Sequence, residues 1–140
     1  MNKYDIWRKE AQKKFNDFPV GFAFNKKQLA EGMEKLGVKT KDELVSIGYG
    51  GFIRKKDKQA YVDLIKWIDD SQKEHMKDYE FVFDMFYSEL SNHEYCISYD
   101  LEDTLDACGL TADEVNNNEM YLKALTSARE KYLHDCFDED

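Results

Sequence analysis

The stretch YEFVFDMFYSEL, residues 79–90, is the most apolar part of the chain and decides its fold. A helix built from it carries apolar side chains on nearly every face, which is typical of a helix buried on all sides. A strand at its beginning is the alternative, because periodicity alone cannot assign a short apolar run to one type of structure. The stretch therefore predicts a central buried helix on which the rest of the chain packs.

Helical periodicity and capping residues predict the elements on either side of this helix. Pro19 should end a first amphipathic helix, and Gly109 should end a short one late in the chain. The pattern favours a mainly α fold of five to six helices with a small two- or three-stranded β element, and an α+β fold is the alternative. The predicted elements are a helix over 4–18, a strand over 18–24, a helix between Asn25 and Gly37, a brief helix over 40–48, a strand or extended turn over 52–56, a long helix over 58–77, a loop or strand over 92–99, a short helix between Asp100 and Gly109, a capping box at Thr111 and a last helix over 119–136.

Composition indicates one globular domain over residues 1–140. The chain contains one proline and seven glycines, so no Pro/Gly-rich linker divides it, and 42% of its residues are hydrophobic. Its first residues lack the apolar core of a secretion signal, and no run of 18 apolar residues follows. We therefore expect a cytoplasmic protein that does not bind membranes.

Charge is distributed very unevenly along the chain. Residues 78–122 contain no Lys or Arg, although they contain twelve Asp or Glu and eight aromatic residues. Residues 1–77 hold 17 basic against 12 acidic residues, whereas residues 78–140 hold 3 against 17. Such an asymmetry creates a field that attracts cationic surfaces over about 8 Å in physiological salt. The acidic balance disfavours direct binding of nucleic acid.

Two interpretations of the acids stay open. On a helix, Asp100, Asp103 and Asp106 would stack about 5–6 Å apart and stand in for the phosphates of a nucleic-acid strand. Alternatively, the acids of first helical turns cap backbone N–H groups and complement the helix dipole. Trp67 lies off the apolar stripe of its helix, so it is either an interface anchor or part of the rim of the core. The candidate partner-binding residues are Asp100, Glu102, Asp103, Asp106, Asp113, Glu114 and Trp67.

A glycine cluster at residues 48–51 precedes a basic run and offers a second candidate site. Successive glycine amides can form a nest for an anion. The alternative is a helix end followed by a tight turn and a solvated basic strand. The pattern matches neither of the common phosphate-binding glycine motifs. The candidate anion-binding residues are Gly48, Gly50, Gly51, Arg54, Lys55 and Lys56.

The cysteines and histidines lack the spacing of a metal or thiol-catalytic site. Three cysteines without a CxxC pair indicate reduced thiols. His93 lies three residues before Cys96, and His134 lies two before Cys136, but a structural zinc site needs four regularly spaced ligands. We therefore predict no metal, no cofactor and no catalytic residue. An enzyme with an unfamiliar Cys/His or carboxylate site is kept as an alternative.

Several strings of the sequence point to a family. They are FNKKQ at 24–28, GYGGFIRKKD at 48–57, DMF at 84–86, ELSNHE at 89–94 and DLEDTLDA at 100–107. Together they resemble small uncharacterised proteins carried by phages and conjugative elements of anaerobic Gram-positive bacteria. The resemblance covers most of residues 20–115 and implies a mobile-element setting in a bacterial host. Small acidic proteins in that setting often counter host defence.

The charge pattern and the resemblance together predict a non-enzymatic inhibitor of a bacterial defence nuclease, comparable with anti-CRISPR proteins. Its acidic C-terminal half would dock on the basic groove in which the nuclease holds nucleic acid. The alternative is a protein that sequesters an anionic nucleotide signal with the glycine cluster and the basic run.

Overall fold

The computed structural model describes residues 1–138, so the last two residues of the expected domain lie outside the described part. The described residues form eight α-helices and one three-stranded antiparallel sheet, which confirms the prediction of a mainly α fold with a small β element. The elements are α1 (Lys3–Asn16), β1 (Gly21–Phe22), α2 (Lys26–Leu36), β2 (Leu44–Gly48), β3 (Gly51–Arg54), α3 (Lys58–His75), α4 (Tyr79–Asn92), α5 (Tyr95–Ser98), α6 (Glu102–Cys108), α7 (Ala112–Asn116) and α8 (Glu119–Phe137).

The chain divides into two compact units. The first unit comprises residues 1–9 together with the chain from Ser71 onwards, and the second comprises residues 10–70. The expectation of a single domain stays a prediction, and each unit is described by itself.

Helix α4 is the centre of the first unit, as its apolar sequence predicts. It begins after Asp78, whose side chain accepts a hydrogen bond from the amide of Glu80. Its side chains pack against α5, α6 and α8. Phe81, Val82 and Met85 are each at most 1% exposed, which confirms a helix buried on several faces.

An aromatic cluster holds the beginning of α1 against α4. The ring of Phe81 meets Tyr4 and Trp7 edge-on, with centroid distances of 5.8 Å and 6.1 Å. The indole N–H of Trp7 donates to Ser71 Oγ at 2.8 Å. Edge-on aromatic pairs contribute about 0.5–1.5 kcal/mol beyond the area that they bury. The first helical turns of the chain are therefore an integral part of the first unit.

The second unit is built around a sheet with the strand order β1-β3-β2. Phe52 and Ile53 of the central strand are 7% and 1% exposed. A Cβ atom at Gly21 or Gly32 would lie 2.5 Å or 2.6 Å from the ring of Phe52. Glycine at these two positions therefore leaves room for the Phe52 ring beside β1 and α2.

Two predicted elements are wrong. The predicted brief helix over residues 40–48 is a 3₁₀ turn at Lys41–Glu43 followed by strand β2. Pairing with β3 decides this segment, because Val45 lies opposite the buried Ile53 in the antiparallel ladder. The predicted loop or strand over 92–99 contains the helical turn α5, whose Tyr95 is only 6% exposed. Burial of this ring, rather than local periodicity, selects the turn.

Candidate functional site

Residues 78–122, here named the base-free stretch, have two parts with different surroundings. In the first part the acidic side chains have cations or hydrogen-bond donors as partners. Lys3 Nζ lies 2.8 Å from Asp78 Oδ2 and 2.9 Å from Glu80 Oε2. The backbone amide of Lys3 donates to Asp84 Oδ2 at 2.8 Å. The hydrogen bond from Lys3 lowers the pKa of Asp78 below its ordinary value. Three of the four acids on α4 and its N-cap are therefore satisfied by one residue of α1.

Glu89, the fourth acid of this part, is buried and carries a charge partner. The residue is 1% exposed. Its Oε1 atom accepts hydrogen bonds from Arg8 at 2.8 Å and from Asn92 at 2.6 Å. The cation and the hydrogen-bond donors compensate the buried carboxyl group for the loss of water. This pair binds the first helix to the centre of the first unit.

The second part of the base-free stretch, residues 94–119, is named the acidic segment. All of its acids are exposed. Among the described residues, none of them lies within ion-pair distance of a Lys or Arg of the first unit. The eight acids are Glu94, Asp100, Glu102, Asp103, Asp106, Asp113, Glu114 and Glu119.

The acidic segment is held on a packed scaffold. The segment buries Thr104, Leu105, Cys108, Leu110 and Val115. Thr104 Oγ1 donates to the carbonyl of Glu89, and Gln72 Nε2 donates to the carbonyl of Cys108 at 3.1 Å. Six of the eight exposed carboxylates therefore stand on the packed helices α6, α7 and α8, whereas Glu94 and Asp100 precede α5 and α6.

Within the acidic segment, the predicted helical row of three carboxylates is wrong. Helix α6 begins at Glu102, so Asp100 precedes it and accepts a hydrogen bond from the Glu102 amide at 2.9 Å. Asp103 and Asp106 share the helix at a spacing of three residues. The local hydrogen bond competes with helix formation at Asp100, as is common for this residue type.

Asp113 and Glu114 lie in the first turn of α7, where the predicted capping box is confirmed. The amide of Glu114 donates to Thr111 Oγ1 at 3.1 Å, and Glu114 Oε1 accepts from the Thr111 amide at 3.2 Å. Glu114 therefore has a role in folding, whereas among the described residues no hydrogen bond or ion pair engages the side chain of Asp113.

Trp67, the remaining candidate partner residue, lies in the second unit. It is half-buried on α3, and Lys14 Nζ sits 4.8 Å from the centre of its ring. A cation at this distance forms a cation–π contact with the ring face. Lys14 thus covers part of the surface that a partner would use.

The structure separates the glycine cluster from the basic run. Tyr49 and Gly50 have φ values of 52° and 76° and form the two-residue turn between β2 and β3, as a tight hairpin requires. Arg54 lies at the far end of β3, about 10 Å along the strand from the turn. Its guanidinium donates to Asp57 at 2.6 Å and to the carbonyl of Leu36 at 3.4 Å. The predicted set of anion-binding residues is therefore not brought together.

Lys55 and Lys56 line a cavity of about 300 Å³ that also contains acids. Asp42 and Glu43 face the same space. Hydrogen bonds from the backbone amides of Lys39 and Thr40 lower the pKa of Glu43, which keeps it ionised. The mixed charge makes this cavity a poor site for an anion.

A second cavity is a groove of about 540 Å³ beside the glycine turn. Its lining is basic, without the acids that the first cavity contains. Lys26 and Lys41 line it together with Phe24, Gly50 and the ring of Phe52. In the described part of the chain no carboxylate lines the groove. Phe24 is 76% exposed. Gly50 belongs to the predicted anion-binding set, whereas Lys26, Lys41 and the two Phe residues were not predicted from the sequence. Their signal was the alternating Phe-Ala-Phe string that ends at the Asn25 helix cap.

Comparison with known proteins assigns the chain to a family. Residues 3–131 match the family of unknown function DUF7659. The chain belongs to this family. No curated protein and no solved structure matches it.

Two structural observations concern the DUF7659 chain as a whole. Within residues 1–138, no helix combines the length and the apolar character needed to cross a membrane. Over the same residues, no three or more His, Cys, Asp or Glu side chains are grouped so that they could hold a metal ion. The acidic segment and the groove lined by Lys26 and Lys41 are candidate sites for a partner or a ligand.

Proposed function

We propose that this DUF7659 chain is a non-enzymatic binding protein whose acidic segment docks on the basic nucleic-acid-binding groove of another protein. The observation that carries the proposal is the contrast between paired and unpaired acids: those on α4 have partners in the first unit, and those of residues 94–119 have no Lys or Arg there. Adjacent like charges on a helix oppose folding by a few tenths of a kcal/mol per pair. Folding alone does not account for such a segment.

The chemistry of the acidic segment suits a surface rich in Lys and Arg. Exposed carboxylates accept charge-assisted hydrogen bonds from both side chains, and Arg can bind them in a bidentate way. Charge complementarity accelerates encounter and selects partners, and its contribution is screened by salt. Because the carboxylates stand on packed helices, little conformational entropy is lost when they dock.

Within this class, a bacterial defence nuclease is the partner that we favour. The support is the resemblance of the sequence to proteins of phages and conjugative elements. Docking would occupy the groove for the substrate and inhibit the nuclease, as anti-CRISPR proteins do. Inhibition would then require no catalytic residue on this chain.

The test is a pull-down from a bacterial lysate with the immobilised protein. We expect retention of a nuclease or another nucleic-acid-binding protein at about 50 mM salt and its release near 200 mM, the range over which phosphate contacts weaken. Added DNA or RNA should compete with the bait. Retention of no such protein at low salt would contradict the proposal.

Two matched variants locate the binding surface. Asp100→Asn/Glu102→Gln/Asp103→Asn/Asp106→Asn removes four charges from the acidic segment and should abolish retention. D5N/D17N/E31Q/E34Q removes four charges from exposed positions elsewhere and should retain the partner. Equal losses in both variants would show that net charge, rather than the acidic segment, determines binding.

A second candidate function is the binding of a small anionic nucleotide in the groove between Lys26 and Lys41. The specific observation in its favour is a groove with two lysines, an exposed aromatic ring and no carboxylate among its described lining residues. An aromatic ring can stack on a base while the ammonium groups meet phosphate. This site replaces the arrangement predicted from the sequence, in which the basic run supplied the charge.

A thermal-shift screen with cyclic and linear nucleotides tests this candidate. We expect stabilisation of the wild type that is lost in K26A/K41A and kept in K55A/K56A, whose lysines line the other cavity. A shift that depends on Lys55 and Lys56 would restore the site predicted from the sequence. The absence of a thermal shift with every nucleotide would eliminate both candidate nucleotide sites.

A further inference from the structure

The cavity of about 300 Å³ in the second unit lies where strands β2 and β3 end. Leu44 lies opposite Arg54 in the antiparallel ladder, so the residues before Leu44 and those after Arg54 leave the sheet at the same end. Both segments continue as 3₁₀ turns, Lys41–Glu43 and Lys55–Asp57. Gly37, which ends α2, also lines the cavity. The end of a sheet and the end of a helix thus form this cavity, and both belong to the second unit.

The two turns give the cavity walls of opposite charge. The acidic wall consists of Asp42 and Glu43, and the basic wall consists of Arg54, Lys55 and Lys56. In the described part of the chain, no ion pair joins one wall to the other. Opposite charges therefore line one cavity with no direct bond between them.

One charged group on each wall is held in place. Glu43 Oε2 accepts hydrogen bonds from two backbone amides, at 2.9 Å and 3.2 Å, and its Oε1 atom accepts none among the described residues. Arg54 Nε donates to Asp57 Oδ2 at 2.6 Å, which leaves other N–H donors of the guanidinium for a carboxylate. A carboxylate and a guanidinium that are already fixed lose little conformational freedom when they bind a ligand.

The two walls select the class of ligand. A simple anion is attracted by the basic wall and repelled by the acidic wall, and a simple cation meets the reverse. A zwitterion can pair one of its groups with each wall through charge-assisted hydrogen bonds. Val38, which is half-buried, lines the same cavity and offers an apolar surface. The volume is at the lower end of the range for ligand pockets, so the cavity suits a small molecule.

We propose that this cavity binds a small zwitterion, namely an α-amino acid with a small apolar side chain. Its ammonium group donates to the acidic wall, its carboxylate accepts from the basic wall, and its side chain contacts Val38. The cavity shares no lining residue with the groove lined by Lys26 and Lys41. The inference therefore depends neither on the nucleotide candidate nor on docking of the acidic segment, and each can fail without the others.

The test measures the thermal midpoint of the whole chain with L-valine and with two analogues that each lack one of its charged groups. Isovalerate lacks the ammonium group, and isobutylamine lacks the carboxylate. We expect L-valine at about ten times its Kd to raise the midpoint by roughly 3–6 °C. Neither analogue at the same concentration should raise it by more than about 1 °C, because each can pair with only one wall. Glycine, L-alanine and L-leucine complete the series of ligands.

Two variants remove the charges of one wall each. K55A/K56A and D42N/E43Q should each lose most of the shift with L-valine. Gln at position 43 keeps a side-chain oxygen that can accept from the two amides. Circular dichroism and the midpoint without ligand show whether each variant folds. If D42N/E43Q does not fold, K55A/K56A still decides the question, since both lysines are exposed.

A matched variant supplies the control. K26A/K41A removes two lysines from the other groove and should keep the shift with L-valine. Four results would each overturn the proposal: an equal shift with L-valine and either analogue, no shift with any of the four amino acids, an undiminished shift in both wall variants, or a shift that is lost in K26A/K41A.

Discussion

The acids of α4 and those of the acidic segment belong to the same base-free stretch but have opposite surroundings. Residues 3–8 of α1 supply a cation or an amide to every acid from Asp78 to Glu89. The acids of residues 94–119 are exposed and have no Lys or Arg within ion-pair distance in the first unit, among the described residues. The absence of Lys and Arg from this stretch therefore has two different explanations. On α4 the bases come from elsewhere in the chain, and for the acidic segment we propose that a partner supplies them.

The largest expected effect is on the paired side of this comparison. Arg8→Met leaves Glu89 buried without its cation, and we expect a loss of about 2 kcal/mol in the free energy of unfolding. This is below the usual cost of breaking a buried pair, because half of the Arg8 side chain is exposed. Urea denaturation at pH 7 measures the loss.

Two further variants separate the charge effect from lost packing. R8M/E89Q should be more stable than R8M alone, because the uncompensated carboxylate is gone. K9A, at an exposed position of the same helix, should change stability by less than about 0.5 kcal/mol. If R8M lowers the free energy of unfolding no more than K9A does, the Arg8–Glu89 pair does not stabilise the fold. The distinction between paired and unpaired acids would then fail.

A smaller effect is expected where the acidic segment contributes to folding. Thr111→Ala removes the hydroxyl that accepts from the amide of Glu114, and we expect a loss of about 1 kcal/mol. Thr111→Ser keeps the hydroxyl and should recover most of it. Urea denaturation of both variants decides whether the capping box, and not the charge of Glu114, stabilises α7.

The smallest effect on stability is expected for acids that have no partner. D103N/D106N should leave the free energy of unfolding unchanged within about 0.5 kcal/mol, or raise it slightly, since two like charges on α6 are removed. Thermal and urea denaturation measure this. A clear destabilisation would show that these carboxylates serve folding, which would weaken the case for a partner.

The dependence of stability on acidic pH gives an independent test of a paired acid, Asp135. Hydrogen bonds from Lys131 and Tyr87 lower the pKa of Asp135 from 3.8 to about 2. Asp135 therefore contributes stability above pH 3.8 that is lost as the pH falls towards 2. Between pH 4 and 2, D135N should show a flatter loss of stability than the wild type, because it lacks this carboxyl group. Identical profiles for wild type and D135N would contradict this.

Much of the fold was predictable because local signals agreed with packing. Asn25, Gly37 and Gly109 cap or end helices as their residue types predict. The prediction for residues 44–48 was wrong because pairing with β3 decides the structure there, and local residue types do not report a distant strand. The site was less accessible to sequence reasoning. Residue spacing marked Asp103 and Asp106, but the pairing of Glu89 with Arg8 depends on a contact between distant segments.

Displacement of nucleic acid from the captured partner tests most directly whether the acidic segment is the docking surface. A fluorescent duplex is first bound in the groove of the partner. At about 50 mM salt, fluorescence anisotropy should fall as the wild-type protein displaces the duplex. The D100N/E102Q/D103N/D106N variant should need at least about tenfold more protein, a difference of about 1.4 kcal/mol. Equal displacement by this variant would contradict the claim that the unpaired acids of residues 94–119 are the docking surface.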